Sequence, residues 1–150
     1  MSAFPSDRIR IFADIEALDN PLNVLTGAAP VVLPATDFQV EVGCALAGAI
    51  ITDVSGLTNI IVQIIPAGTN GAAPAAGTTP ALTKTVSSLD NTVTANNWAD
   101  GTHQHAVAAF TNAANTLTAG SYWLYIYATT SDSTARLVPL ASGPMRVINP

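Results

Sequence analysis

The stretch 53-DVSGLTNIIVQIIP-66 carries the densest β-branched run of the chain. Ile60, Ile61, Val62, Ile64 and Ile65 are nearly continuous, broken only by Gln63. β-Branched side chains suit the pleated surface of a sheet and lose rotamer freedom in a helix. A run that is apolar on both sides predicts a strand covered on both faces, or one central to a sandwich. Asp53-Val-Ser-Gly56 reads as the turn before it.

The segments on either side follow the same period. Upstream, 38-FQVEVGCAL-46 sets Phe38, Val40, Val42, Cys44 and Leu46 in one apolar row against Gln39, Glu41 and Gly43. Cys44 falls on the apolar row as a small hydrophobe. From Arg8 to Glu16, Ile9, Ile11, Ala13 and Ile15 face one way and Arg8, Arg10, Asp14 and Glu16 the other, a half-buried strand. Phe12 interrupts the polar row, either as a contact with another chain or as a side chain covered by a loop. Between these strands, Asp19-Asn20-Pro21, Gly27, Pro30 and Pro34 cut the chain into short pieces.

Downstream, 66-PAGTNGAAPAAGTTP-80 contains only Ala, Gly, Pro and Thr apart from Asn70. It predicts a long structureless loop, either a flexible excursion or an arm reaching a neighbouring subunit. A modest strand is expected around Leu82 to Leu89. In 121-SYWLYIYATT-130, Tyr122, Leu124, Ile126 and Ala128 alternate with Trp123, Tyr125, Tyr127 and Thr129, and both rows are apolar enough to expect cover on both faces. After the turn at 131-SDSTA-135 the chain returns as RLVPLASGPMRVI, whose Pro139 and Gly143-Pro144 predict an edge position or a bulge. In 105-HAVAAFTNAANTL-117, Val107, Phe110, Ala114 and Leu117 also fit helical spacing, and periodicity leaves helix and strand both open there. Several strands with turns between them and no βαβ alternation point to an all-β fold, an antiparallel β-sandwich in a single domain over residues 1–150. Residues 1–7 are expected to form an N-terminal arm.

The 150 residues suffice for one core, and 49% hydrophobic side chain excludes a disordered chain. Only 10% of residues are charged, against roughly a quarter in an average domain. The surface must therefore be rich in Ala, Thr, Ser, Asn and Gly. Such a surface docks against protein at little desolvation cost, although an alanine-rich genome or a rigid monomer accounts for it equally well. Net charge is −5, and the basic residues Arg8, Arg10, Lys84, Arg136 and Arg146 are scattered, so no nucleic-acid partner is expected. One cysteine gives no internal disulfide. The start, MSAFPSDRIRIFADIE, lacks a basic region followed by an apolar segment, and GCALAGAII is far shorter than the roughly 20 residues of a membrane helix. Cytoplasmic folding and no membrane partner are the expectation.

The stretch 100-DGTHQHAVAAF-110 holds both histidines. On a strand His103 and His105 share a face. A metal site needs three or four ligands, so a site there requires copies of His103 and His105 gathered by symmetry, for example around a three-fold axis. Catalysis finds no support: no Gly-X-Ser-X-Gly elbow, no carboxylates paired by spacing and no Lys-Ser/Thr ending to a glycine loop. No enzyme and no cofactor are expected. Trp98, Tyr122, Trp123, Tyr125 and Tyr127 are candidates for stacking on sugars. Four of them alternate faces on one strand, which favours core packing.

The C-terminal third, TLTAGSYWLYIYATTSDSTARLVPLASGPMRVI, resembles β-sandwich modules of bacteriophage virion proteins. The matching positions are Leu117, Gly120, Tyr122, Leu124, Ile126, Leu140, Gly143 and Val147. The segment DVSGLTNIIVQI is similar to the turn before a core strand in the same modules, and QHAVAAFT to their strand leading into the hairpin. The loop from Pro66 to Pro80 has no place in that pattern. The resemblance covers about half the chain and rests on turn and core positions. It implies an Ig-like sandwich that works by assembly in baseplate, tail-fibre or capsid-decoration structures, often as a trimer or larger ring. The expected role is a non-enzymatic virion structural protein, assembled in the host cytoplasm. It would decorate a capsid or adapt a tail or fibre, docking on major capsid or tail proteins and self-associating. The alternative is a carbohydrate-binding or host-receptor-binding module, with Trp98 and Phe12 as binding candidates.

Overall fold

The computed structural model describes residues 8–14, 23–24, 30–46, 49–50, 57–86, 105–130 and 137–149. Its strands are β1 (Arg8–Asp14), β2 (Asn23–Val24), β3 (Val31–Val32), β4 (Phe38–Leu46), β5 (Ala49–Ile50), β6 (Leu57–Pro66), β7 (Leu82–Val86), β8 (His105–Phe110), β9 (Gly120–Thr130) and β10 (Leu137–Val147). The fold is all-β. One sheet joins β1, β4 and β5, with β8 also paired to β4; the other runs β2-β10-β9-β6-β7, with β3 also paired to β10. β8 lies near β7, and β1 near β10, so the two sheets approach each other along both margins.

The run that opened the sequence reading is β6, which lies between β9 and β7. Ile60, Val62 and Ile64 are buried and Ile61 is half-buried. From β9 the same core receives Tyr122, Leu124, Ile126 and Ala128, and from β10 Leu140, Ala141, Met145 and Val147. The other sheet contributes Phe38, Val40, Val42, Ala108 and Phe110 to it. Phe38 and Phe110 are opposed across β4 and β8, their rings stacked at 4.8 Å. One core between two sheets is the direct consequence of the period-two pattern, since each strand has a single fully apolar row to bury. Each buried Leu or Ile side chain contributes roughly 1.5–3 kcal/mol.

Between His105 and Leu117 the strand reading holds. β8 ends at Phe110, and the chain turns through Thr111 to Ala114, where Ala114 N and Asn115 N donate to Thr111 O. Asn115 is buried and joins two turns. Its Nδ2 donates to Leu33 O (2.9 Å) and Thr36 O (3.0 Å), while its Oδ1 accepts from Leu117 N (3.2 Å). Beside it Asn112 N donates to Asp37 Oδ1. At the head of β9, Tyr122 Oη donates to Thr118 O at 2.9 Å and lies 3.3 Å from Thr118 N as that group's acceptor. A buried tyrosine thereby satisfies its hydroxyl inside its own turn.

Two expectations need correction, and a third, an edge position or a bulge in β10, is met by the bulge. The sheets are mixed: β1 runs parallel to β4, and β2 and β3 run parallel to β10. Alternation within one strand sets its faces but carries no information on the direction of its partner. β10 has the predicted bulge, between Pro139 and Ala141, but it is no edge strand, since β9 and the β2/β3 pair flank it. Pro144 is tolerated because β2 pairs Ala141 and Ser142 while β3 pairs Arg146 and Val147, leaving the ladder open between them. Arg146 N and Ile148 N point towards Pro30 O and Val32 O, so the proline's missing N–H falls on that same side, in the gap. Finally, the loop after Pro66 is not structureless. It holds a 3-10 turn at Thr69–Gly71, with Asn70 at φ 59° and Gly71 at φ 76°. Gly68 N donates to Ala72 O, Ala67 N to Ser121 O, and Ala81 N returns to Ile64 O.

Candidate functional site

The distinctive surface lies on β9. Its inward row is fully committed to the core, with Leu124, Ile126 and Ala128 at most 1% exposed. The alternate row, Trp123, Tyr125, Tyr127 and Thr129, is only half-buried. Both rows were expected to be covered; instead three of the four aromatics share the outer face. Strand geometry places residues two apart on one side, and the rings follow it, with centroids 6.2 Å apart from Trp123 to Tyr125 and 6.1 Å from Tyr125 to Tyr127. The two tyrosine rings are nearly parallel, at 9°.

Neighbouring strands frame this row. Directly opposed residues of antiparallel strands share a face. Trp123 is opposed by Ile65 and Pro144, Tyr125 by Gln63 and Ser142, and Tyr127 by Ile61 and Pro139. One strand further out, Thr83 is opposed to Gln63 and Thr85 to Ile61. Among these described residues there is no carboxylate and no ammonium or guanidinium group. Lys84 is opposed to Val62, on the other face in the register, and Arg146 is opposed to Ser121, beyond the tryptophan end.

The loop fixes the tryptophan end. Trp123 Nε1 donates to Gly71 O at 2.9 Å, across 52 positions of sequence. That contact uses the indole's only donor and leaves its ring as a fixed plate. Ile65, opposed to Trp123, is only 8% exposed, and Ser142, opposed to Tyr125, is buried as well, so the face is partly covered at this end and in its middle. At the other end, burial raises the Tyr127 phenol above its ordinary value of 10.0, with the charge of Tyr125 adding to the effect. The Tyr127 phenol is therefore neutral at physiological pH. Among the described residues the face is aromatic, hydroxyl- and amide-bordered, and without a charged side chain.

The candidates from sequence fare unevenly. Trp98 and His103 lie outside the described residues, as does the N-terminal arm. Phe12 and His105 are placed by backbone alone. Phe12 in β1 and His105 at the head of β8 are both opposed to Gly43 of β4, so the register sets them in one row across the sheet. Among the described residues no three His, Cys, Asp or Glu side chains gather in a metal-binding group, and no helix is long and apolar enough to cross a membrane. The outward row of Trp123, Tyr125 and Tyr127 is what sequence reasoning assigned to the core. Its signal was present: the residues recur every second position, opposite a row that is itself sufficient to fill the core. Known proteins add no assignment, since no family model and no curated protein matches the chain.

Proposed function

We propose that the chain is a non-enzymatic structural module of a phage virion, an Ig-like sandwich that decorates a capsid or adapts a tail or fibre by docking on other virion proteins and on copies of itself. The observation that carries this reading is where the resembling positions fall. Leu117, Tyr122, Leu124, Ile126, Leu140, Gly143 and Val147 are all buried, and Gly120 opens β9. The resembling positions are thus mostly packing positions of the β9–β10 hairpin and its approach, which is the support for this reading. Two further features support the Ig-like form. The strand order β10-β9-β6-β7 matches that of a G-F-C sheet with an added C′ strand, and Tyr122 closes its turn as the tyrosine corner of such domains does. The parallel pairing of β1 with β4 departs from that form.

Docking is assigned to the loop from Pro66 to Pro80. It has no charged residue, and Gly68, Thr69, Asn70, Ala72 and Ala73 are exposed. Its turns and the bond to Trp123 hold it in place, so a partner meets a preorganised element at small entropic cost. Light scattering of the purified chain is expected to give a trimer or larger ring. Elastase, which cuts after small residues, is expected to cleave the loop in dissociated protein and to spare it in the assembled form. A monomer at all concentrations that also fails to bind the major capsid or tail proteins of its own virus would sink the proposal. Equal cleavage rates in the two forms would remove the loop from it.

A further inference from the structure

We propose that the outer row Trp123–Tyr125–Tyr127 is a binding site for a neutral polysaccharide. This rests on the face itself and not on the assembly reading above.

Three properties of the face select this ligand class. The first is the row of rings. Each is half-exposed, and the rings follow one another along the strand at centroid steps of 6.2 and 6.1 Å, a continuous aromatic strip along which an extended chain can lie. The apolar face of a pyranose carries axial C–H groups, which pack on the electron-rich face of an aromatic ring. The second is the border. Gln63, half-buried, flanks Tyr125, and the exposed Thr83 and Thr85 lie one strand further out, so an amide and two hydroxyl groups border the rings on the β6–β7 side, while Ser142 on the β10 side is buried. The third is charge. No acid or base lies in this block of described residues, which matches a ligand that is itself uncharged. Among the described residues a uronate or phosphate polymer would find no cation there to pair with.

Preorganisation adds to this. The indole of Trp123 is held by Gly71 O, and the tyrosines stand on a strand whose opposite row is locked in the core. Little side-chain entropy therefore remains for Trp123 to lose on binding. The earlier candidate Trp98 is not needed. Tyr122, grouped with it from sequence, is excluded because it faces the core and is only 8% exposed.

Native affinity electrophoresis through gels cast with hydroxyethylcellulose, xylan, galactomannan or dextran tests the site, with alginate as the polyanionic control. Retardation by at least one neutral polymer and not by alginate is expected. Tyr125→Ala is expected to weaken that retardation at least tenfold while circular dichroism stays native. Tyr125→Phe, which keeps the ring, should retain most of it, and Lys84→Ala should leave it unchanged. In a Trp98→Phe background the fluorescence of Trp123 alone should shift on adding the retarding polymer. Retardation by none of the four neutral polymers overturns the proposal, as does full binding by Tyr125→Ala. If Tyr125→Ala instead dissociates an oligomer, the row is a protein interface; the glycan site fails while the assembly reading stands. A monomer that binds the polymer has the converse meaning.

Discussion

Replacing Asn115 by alanine is expected to destabilise the fold by about 3 kcal/mol. Three hydrogen bonds of one buried side chain are removed together. They do not count equally. Leu33 O keeps a second donor, the hydroxyl of Thr36 at 2.8 Å, so little is lost there. Thr36 O loses its side-chain donor but is half-buried, and water repairs part of the deficit, leaving about 0.5–1.5 kcal/mol. Leu117 N has no such recourse, because Leu117 is 3% exposed. An orphaned buried donor costs roughly 1–3 kcal/mol. For a domain of this size that total corresponds to a fall in melting temperature of about 6–12 °C. In urea the midpoint should drop by about 1.5–2 M at an unchanged slope near 1.5–2 kcal/mol/M. Asn115→Asp keeps the shape but has no N–H to offer either carbonyl, and at pH 7 it should cost at least as much. A loss below about 0.5 kcal/mol in both variants would refute the reasoning, since it would mean that the turns at 33–36 and 111–118 hold without the residue that joins them.

Three further outcomes follow from single contacts. Tyr122→Phe keeps the buried ring but removes the bond to Thr118 O, and should cost about 1 kcal/mol in urea denaturation. Ala35 adopts φ 53°, where a Cβ is strained, so Ala35→Gly should be neutral or stabilising by up to about 1 kcal/mol despite glycine's greater unfolded-state entropy. The raised Tyr127 phenol makes its folded-state pKa exceed the unfolded value of 10.0. Its contribution to stability is therefore complete below about pH 10 and is lost as pH rises through the folded value. Absorbance titration near 295 nm should show a late phenol that disappears in Tyr127→Phe.

The alternation of polar and apolar residues made most of the strands legible. β4 runs from Phe38 to Leu46, as the pattern in FQVEVGCAL predicts, and β6, β9 and β10 follow their apolar rows. The bulge at Pro139 was legible because proline cannot donate to a ladder. The short strands β2 and β3 were not, since two residues give no period and form only because β10 offers a free edge beside them. Asn115 was equally hidden. In the sequence it is one of several polar residues in NAANT, and its importance arises from Leu33 and Thr36, some 80 positions away.

The site divides along the same line. From the sequence alone follow the all-β class, the low charge of the surface and the two rows of SYWLYIYATT, because period two is a property of the backbone whatever surrounds it. Which row would be buried was open, since both are apolar or amphipathic. Only the packing of the second sheet decided it: Phe38, Val40, Val42 and Phe110 close over Leu124 and Ile126 on one side of β9. That closure leaves Trp123, Tyr125 and Tyr127 on the other. The loop at Thr69–Gly71 then reaches back to fix the indole, a contact that no local pattern encodes.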